Sequence, residues 1–273
     1  MKNFLTLSIL LSLTVMSCDK GKSTTETSTE MGEQMTTKTD KLPVDSIKVE
    51  DSLKVDKNLT VNFESKLLVF PTLKNKSILD SIYGSNQIHL DEYSKANLAE
   101  SLKKKQSEFY DQQKEALTNW KPEFAQNWYS NSNMKMISND NDFLTIQYTQ
   151  DGYTGGAHGY YNEFYKVFDL KNNKTVQLSE IITNKDSALW QPILMDNFIK
   201  NDTGKGQAEM LLVKEIPIND NFYFDKENLY FLYNQYEITA YAAGPVLIKI
   251  PLSDIKPLLT DDFLKRQNFL IFF

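Results

Sequence analysis

Segments with the pattern of β-strands follow one another in runs, and this order restricts the fold more than any other feature. Apolar and polar residues alternate in part over residues 59–70, the period of two dominates residues 127–178, and it returns between residues 222 and 250. Helical patterns separate these runs and do not alternate with the strands one for one. The sequence therefore predicts an α+β domain in which helices cover an antiparallel sheet.

Helices and turns are predicted from the spacing of apolar residues and from the residues that end helices. Apolar residues at spacings of four and seven predict a long helix over residues 91–120, with Asp91 as its N-cap and Pro122 beyond its end. Asn172 and Asn173 predict a tight turn, because asparagine tolerates positive φ. We also expect a hairpin around residues 226–228 and further helices over residues 76–83, over residues 188–200 and from residue 253.

The N-terminal end has the form of a secretory leader. Lys2 supplies a positive charge, residues 4–15 are mainly apolar, and the small residue Ser17 precedes Cys18. A helix needs about 20 apolar residues to cross the hydrocarbon core of a bilayer, so a retained membrane span is the weaker interpretation. We predict that residues 1–17 are a signal peptide that is cleaved.

Cys18 is the only cysteine, so the chain can form neither an intramolecular disulfide nor a cysteine-based zinc cluster. Its position at the end of the apolar segment predicts that it is the lipidated residue of a bacterial lipoprotein. The alternative is a cysteine without a role. Acyl chains on Cys18 would anchor the protein in a membrane. The expected location is the cell envelope outside the cytoplasm, on the periplasmic face or on the cell surface.

Residues 18–58 are expected to form a flexible tether. They are rich in Ser, Thr, Lys, Glu and Asp and contain no aromatic residue, so they bury too little apolar surface to offset the entropy lost on folding. Two Asp-Ser-apolar triplets, at residues 45–47 and 51–53, resemble acceptor sites of bacterial O-glycosylation. The folded domain is predicted to be one unit over residues 59–273.

Charge and motifs argue against several functions. A formal net charge of −6 disfavours a nucleic-acid partner. With only two histidines and no EF-hand spacing, we predict no metal, and we expect no cofactor. The patterns of a dinucleotide loop, a P-loop and a Gly-x-Ser-x-Gly elbow are missing, so the chain is not expected to be an enzyme. A hydrolase that uses His158 with a nearby acid or serine remains an alternative.

Two aromatic segments contain the candidate binding residues. Residues 152–161 hold four of the ten glycines of the chain together with several tyrosines, and residues 230–245 form a second aromatic block. One interpretation is a bent strand connection in which His158 forms a local hydrogen bond. The other is an exposed loop that binds a glycan or a protein, because tyrosine offers a flat apolar face and a polar tip. The predicted ligand-binding residues are Tyr153, Gly155, Gly156, His158, Tyr160, Tyr236 and Tyr241.

These segments resemble the extracytoplasmic domain shared by the lysozyme-sensing anti-sigma factor RsiV and the accessory region of the peptidoglycan deacetylase PdaC. The resemblance extends over residues 59–264 and rests on residues 155–159 (GGAHG), 165–170 (YKVFDL), 178–182 (LSEII), 222–225 (FYFD), 229–231 (LYF) and 236–245 (YEITAYAAGP). It implies an α+β envelope domain, which binds lysozyme in RsiV-like members and accompanies a wall-modifying enzyme in PdaC-like members. This chain shows neither a sigma-binding segment before a membrane span nor a deacetylase domain with metal-binding histidines, so neither activity is expected.

Three functions follow from these observations. The first is a non-catalytic, lipid-anchored binding or sensing protein that recognises lysozyme or a peptidoglycan-type glycan. The second is the envelope hydrolase that uses His158. The third is a structural or assembly lipoprotein without a small ligand. The sequence does not choose between lysozyme and glycan, and it does not give the oligomeric state.

Overall fold

The structure is a computed structural model that describes residues 42–118 and 121–267. The predicted signal peptide, the lipidation site Cys18 and the first part of the predicted tether, residues 18–41, lie outside the described residues. Trp120, at the end of the predicted long helix, lies outside them as well. Within the described ranges, no helix is both long enough and apolar enough to cross a membrane.

The described residues form two β-sheets. The large sheet has the strand order β1-β2-β3-β4-β5-β6, and the small sheet has the order β7-β8-β9. The strands are β1 (Asp45–Asp56), β2 (Leu59–Val69), β3 (Gln126–Asp140), β4 (Phe143–Tyr153), β5 (Tyr160–Asp169), β6 (Lys174–Thr175), β7 (Phe222–Phe224), β8 (Asn228–Tyr233) and β9 (Val246–Pro251). The predicted turn at Asn172 and Asn173 is confirmed, and Asn173 has a φ of 53°. The hairpin that joins β7 to β8 is confirmed as well.

The α+β class is confirmed, but the large sheet is mixed and not purely antiparallel. Strand β3 pairs with β2 in parallel, whereas the other strand pairs of the two sheets are antiparallel. The reason is the connection between them. Two helices separate β2 from β3 along the chain, and such a long crossover returns the chain in the same direction.

Strand β1 corrects the prediction that the tether extends to residue 58. Residues Asp45–Asp56 form the outer strand of the large sheet and pair antiparallel with β2 along its length. Ile47, Val49 and Leu53 are half-buried, and the polar residues between them are exposed. Charged side chains on an edge strand prevent pairing with other chains, and here they hide the strand signal. The two Asp-Ser-apolar triplets lie on β1, where Ser46 and Ser52 are exposed.

Four α-helices are described: α1 (Lys76–Gly84), α2 (Lys95–Ala116), α3 (Ser187–Asn201) and α4 (Asp261–Arg266). Helix α2 begins four residues later than predicted, because the Ser94 hydroxyl and not Asp91 caps it, accepting a hydrogen bond from the Asn97 amide. The predicted terminal helix from residue 253 is instead a 3₁₀ turn at Lys256–Leu258 followed by α4, which Thr260 caps. Further 3₁₀ turns lie at Leu178–Glu180, Ala208–Met210 and Tyr241–Ala243.

The hydrophobic core has three parts. Two lie on the large sheet: one beneath α1 and the start of α2, around Tyr83 and Tyr148, and one beneath the end of α2, around Val61 and Trp128. The third surrounds the small sheet and α3, with Trp190 against Phe231. This arrangement places the β4–β5 connection beside the loops of the small sheet.

Candidate functional site

The β4–β5 connection is a glycine-dependent loop over residues 154–159. Gly155 and Gly156 have φ values of +96° and +95°, a region that residues with a side chain rarely adopt. A Cβ atom on Gly159 would lie 2.5 Å from the carbonyl oxygen of Gly152. The loop therefore needs glycine for its backbone conformation and for the close approach of its two ends.

His158 lies exposed on this loop and contacts a tyrosine from the other half of the chain. Its Nδ1 donates a hydrogen bond to the Gly159 carbonyl oxygen at 2.7 Å, and its ring stacks on Tyr241 with the ring centroids 4.4 Å apart. The Tyr241 hydroxyl donates to the same carbonyl at 3.1 Å. The local hydrogen bond of His158 expected from the first interpretation is thereby confirmed, and the exposed ring also packs against Tyr241; binding of a ligand by the loop stays a prediction.

Tyr236 completes a group of three rings that we call the aromatic surface: His158, Tyr236 and Tyr241. The Tyr236 ring centroid lies 6.5 Å from that of His158 and 5.8 Å from that of Tyr241, and the side chain is 60% exposed. Tyr236 has a φ of 68° in a turn that its own amide closes by donating to the Thr239 carbonyl. Such a strained, exposed tyrosine is held by the fold in a position that core packing does not require.

The other predicted residues have different surroundings. The Tyr153 hydroxyl donates to the Gly156 carbonyl at 3.0 Å, and Gly155 lies against the indole of Trp128, so both shape the loop from beneath. Tyr160 is 53% exposed, and its ring lies across Gly152. It borders a polar groove beside α2. The predicted residues thus divide between the aromatic surface, its supporting loop and this groove.

Next to the aromatic surface lies a hydrogen-bond network around Glu163 that sequence reasoning missed. The Glu163 carboxylate accepts hydrogen bonds from Gln147 and Tyr165 at 2.6 Å each, and from Tyr161 at 2.7 Å. Burial and the bond to Glu163 raise the pKa of the Tyr165 hydroxyl, so this tyrosine stays protonated and donating. No motif indicates the network: Tyr161, Glu163 and Tyr165 alternate along β5 like ordinary strand residues, and Gln147 joins them only when β4 pairs with β5.

Asparagine side chains connect this network to the small sheet. The Asn234 side chain accepts a hydrogen bond from the Glu163 amide at 2.8 Å and donates one to the Glu163 carbonyl at 2.9 Å. Asn221 accepts from the Tyr165 amide at 2.9 Å and donates to the Glu163 carbonyl at 2.9 Å. Two side-chain amides therefore pair with the free edge of β5 as a neighbouring strand would, and they fix Tyr236 and Tyr241 beside His158.

Potential metal ligands are not clustered in the described part of the chain. Across residues 42–118 and 121–267, no three His, Cys, Asp or Glu side chains are grouped so that they could hold a metal ion. His89 follows α1, whereas His158 lies on the β4–β5 loop.

Comparison with known proteins gives the family. A family model described as "Deacetylase PdaC" matches residues 54–161, and one described as "Protein of unknown function (DUF3298)" matches residues 167–253. The two matched segments meet at the β4–β5 region, where the candidate site lies. Together these two matches support the PdaC/RsiV-type domain family for this chain. The resemblance inferred from the sequence is thereby confirmed, and the two family models point to a domain associated with the cell envelope.

Solved structures agree with this assignment at the level of the fold. A DUF3298 family member from Bacteroides fragilis is 21% identical, has a TM-score of 0.67, and is aligned over 84% of this chain and 98% of its own. A DUF3298 family protein from Pseudomonas aeruginosa is 17% identical with a TM-score of 0.53, aligned over 82% of this chain and 97% of its own. No curated protein matches the chain. The fold of this chain therefore extends over nearly the whole length of both structures.

Proposed function

We propose that this chain is a lipid-anchored binding or sensing protein of the cell envelope that is not itself catalytic, and that recognises lysozyme or a peptidoglycan-type glycan through the aromatic surface. The observation that carries the proposal is the group of three rings, in which His158 and Tyr236 are exposed and Tyr241 is half-buried. It is assembled from the β4–β5 loop and the β8–β9 connection. Exposed tyrosines that the fold holds in place are typical of binding hot spots and of surfaces that stack on sugars.

The charge of the chain supports a basic protein ligand such as lysozyme. The formal net charge is −6, and the exposed Glu237 directly follows Tyr236 in the turn. Complementary charge around an aromatic centre accelerates association and disfavours acidic partners. Binding of lysozyme should therefore weaken with added salt, whereas stacking of a neutral glycan should not.

The surroundings of His158 favour binding over hydrolysis. A catalytic histidine is oriented by a carboxylate and activates a nucleophile within hydrogen-bond reach. Here Nδ1 donates to the Gly159 backbone carbonyl, and the ring face is covered by Tyr241. This arrangement orients the ring for contact with a ligand, and among the described residues no carboxylate and no hydroxyl nucleophile forms a hydrogen bond with it.

Removing one ring of the aromatic surface should weaken ligand binding strongly. We expect Tyr236→Ala to lower the affinity for lysozyme or for muropeptides at least tenfold, because truncation of a hot-spot residue costs about 2 kcal/mol or more. Isothermal titration calorimetry with each ligand measures this. Phe124→Ala, which removes an aromatic ring that is 69% exposed outside the site, is the matched control. Absence of binding to both ligands by the unchanged protein would refute the proposal.

The proposed anchor has its own test at Cys18. Cys18→Ala removes the only thiol that could be acylated, so the protein should move from the membrane fraction to the soluble fraction and its lipid-modified N-terminal peptide should disappear. Mass spectrometry of the mature N-terminus and cell fractionation measure these effects. Ser17→Ala, which keeps a small residue before the cysteine, should leave both unchanged. An unmodified Cys18 in a cytosolic protein would contradict the anchor.

A further inference from the structure

One face of the large sheet carries polar, small residues where hydrophobic packing would be expected. The strand register aligns Phe63 with Ser130 and Gly152 in one row, and Ser65 with Ser132 and Gln150 in the next. Each of these rows lies on the face of β2 that is buried beneath α2. A sheet face that packs against a helix is normally apolar throughout, so the serines, Gly152 and Gln150 need another explanation, since Phe63 is the one apolar residue of these two rows.

The rows on either side are apolar, so the polar strip has sharp limits. Leu67, Met134 and Tyr148 form the adjoining row on one side and are buried, and Val61 and Trp128 form the row on the other side. Small side chains in between leave a groove of about 320 Å³ between α2 and the sheet. This volume lies at the lower end of the range for ligand pockets, about 300–1,000 Å³.

The groove contains a buried polar group without a hydrogen-bond partner. Asn86 lines the groove and is 7% exposed, and its side-chain Nδ2 has no partner. Buried donors are nearly always paired in folded proteins, and an unpaired one destabilises the fold. The hydroxyls of Ser65 and Ser132 bond to each other at 2.7 Å, and each can still accept a further hydrogen bond. The groove therefore offers donors and acceptors to a ligand.

The charges of the groove balance each other. Lys105 and Glu108, both from α2, are the two charged residues that line it. Lys105 is half-buried, so its ammonium group is partly removed from water, and this burial lowers its pKa. The side chains of Asn86, Gln112 and Gln150 contribute neutral amides. Such a lining fits an uncharged, polar ligand better than an ionic one.

Tyr160 adds a flat aromatic wall to this polar groove. Its ring is 53% exposed, yet it lies so close over Gly152 that a Cβ atom there would come within 2.6 Å of the hydroxyl. The ring is therefore held in place while one face remains open. A sugar ring has an apolar face that stacks on such a side chain, and hydroxyls that pair with amides and serines.

We propose that this groove is a saccharide site that binds one or two sugar units of a neutral glycan. The proposal deepens the glycan side of the proposed function, on which it rests for the ligand class. It uses Tyr160, Asn86 and the serines of β2 and β3, and it does not need the aromatic surface. A glycan chain lying along α2 would be held by hydrogen bonds from the sheet and by stacking on Tyr160.

The probe is the trimer of N-acetylglucosamine, titrated into the full mature chain by calorimetry and by saturation-transfer NMR. We expect binding in the millimolar range or tighter. Tyr160→Ala should weaken it at least fivefold, because aromatic contacts contribute about 0.5–1.5 kcal/mol beyond buried area. Ser130→Leu should abolish it by filling the groove. Phe124→Ala, which removes an exposed aromatic ring that does not line the groove, is the control and should bind like the unchanged protein.

Asn86→Ala separates a binding role from a structural one. If Asn86 serves a ligand, the substitution weakens binding of the trimer while the midpoint of thermal unfolding stays the same or rises, because an unpaired buried donor is removed. A lower midpoint with unchanged affinity would overturn the proposal. So would failure of the unchanged protein to bind the trimer, or tighter binding of a sulfated oligosaccharide of the same length. Lysozyme binding that persists in those cases would leave the proposed function intact.

Discussion

Arg266→Ala is expected to lower the free energy of unfolding by about 3–5 kcal/mol, because it leaves a buried carboxylate without its cation. The Asp169 residue is 1% exposed at the end of β5, and both of its oxygens accept hydrogen bonds from the Arg266 guanidinium on α4. The guanidinium carbon also lies 3.9 Å from the centre of the Phe143 ring. Loss of this side chain removes an ion pair and a cation–π contact together.

The same pair predicts how stability depends on pH. Burial alone would raise the pKa of Asp169, but the hydrogen bonds from Arg266 and Asn172 outweigh it, and the pKa lies below its ordinary value. A carboxyl whose pKa is lower in the folded state stabilises the fold above the pKa of the unfolded chain, about 3.9. That stabilisation is lost as the pH falls through the lowered pKa of the folded state. Arg266→Ala removes the main cause of this lowering. Its free energy of unfolding should therefore fall less between neutral and acidic pH than that of the unchanged protein.

Urea unfolding at neutral pH, repeated at acidic pH, measures both effects. Lys76→Ala is the matched control, because Lys76 also pairs with a carboxylate, Asp80, but both side chains are largely exposed. Exposed pairs contribute about 0–1 kcal/mol, so this variant should unfold much like the unchanged protein. If Arg266→Ala lowers the free energy of unfolding by less than about 1 kcal/mol, water or a rearranged side chain must take the place of the guanidinium beside Asp169.

Local patterns predicted the elements of this fold well, and long-range pairing was the part they missed. The period of two located β2, β4, β5 and β9, because buried and more exposed residues alternate over part of each strand. The parallel pairing of β2 with β3 could not be predicted in this way, because alternation carries no information on strand direction. Strand β1 was missed because charged residues dominate its exposed face.

The sequence likewise predicted one part of the candidate site and missed another. Glycine density and tyrosine clustering indicated the residues of the aromatic surface, and the structure brings His158, Tyr236 and Tyr241 together from segments about 80 residues apart in the chain. The polar groove was not predicted, because Ser65, Ser130 and Gln150 form a strip only in the observed register. Single serines in a strand carry no such signal.

The asparagine side chains that join the small sheet to β5 should matter for stability and for the site. We expect the double variant Asn221→Ala, Asn234→Ala to lower the free energy of unfolding by about 2–5 kcal/mol, because an unsatisfied buried backbone group costs about 1–3 kcal/mol. The Glu163 carbonyl accepts from both side chains, so the two single substitutions should not add. Chemical unfolding of the single and double variants measures this coupling.

Hydrogen exchange of individual backbone amides shows which part of β5 is destabilised in the double variant. The Glu163 and Tyr165 amides donate to Asn234 and Asn221, so in the double variant these two amides should exchange faster than other amides of β5. Asn162→Ala, an exposed asparagine on the same strand, is the control and should change neither amide. Because Asn234 begins the turn that carries Tyr236, we also expect weaker binding at the aromatic surface. Unchanged exchange at both amides would mean that β5 does not depend on these side chains for its edge.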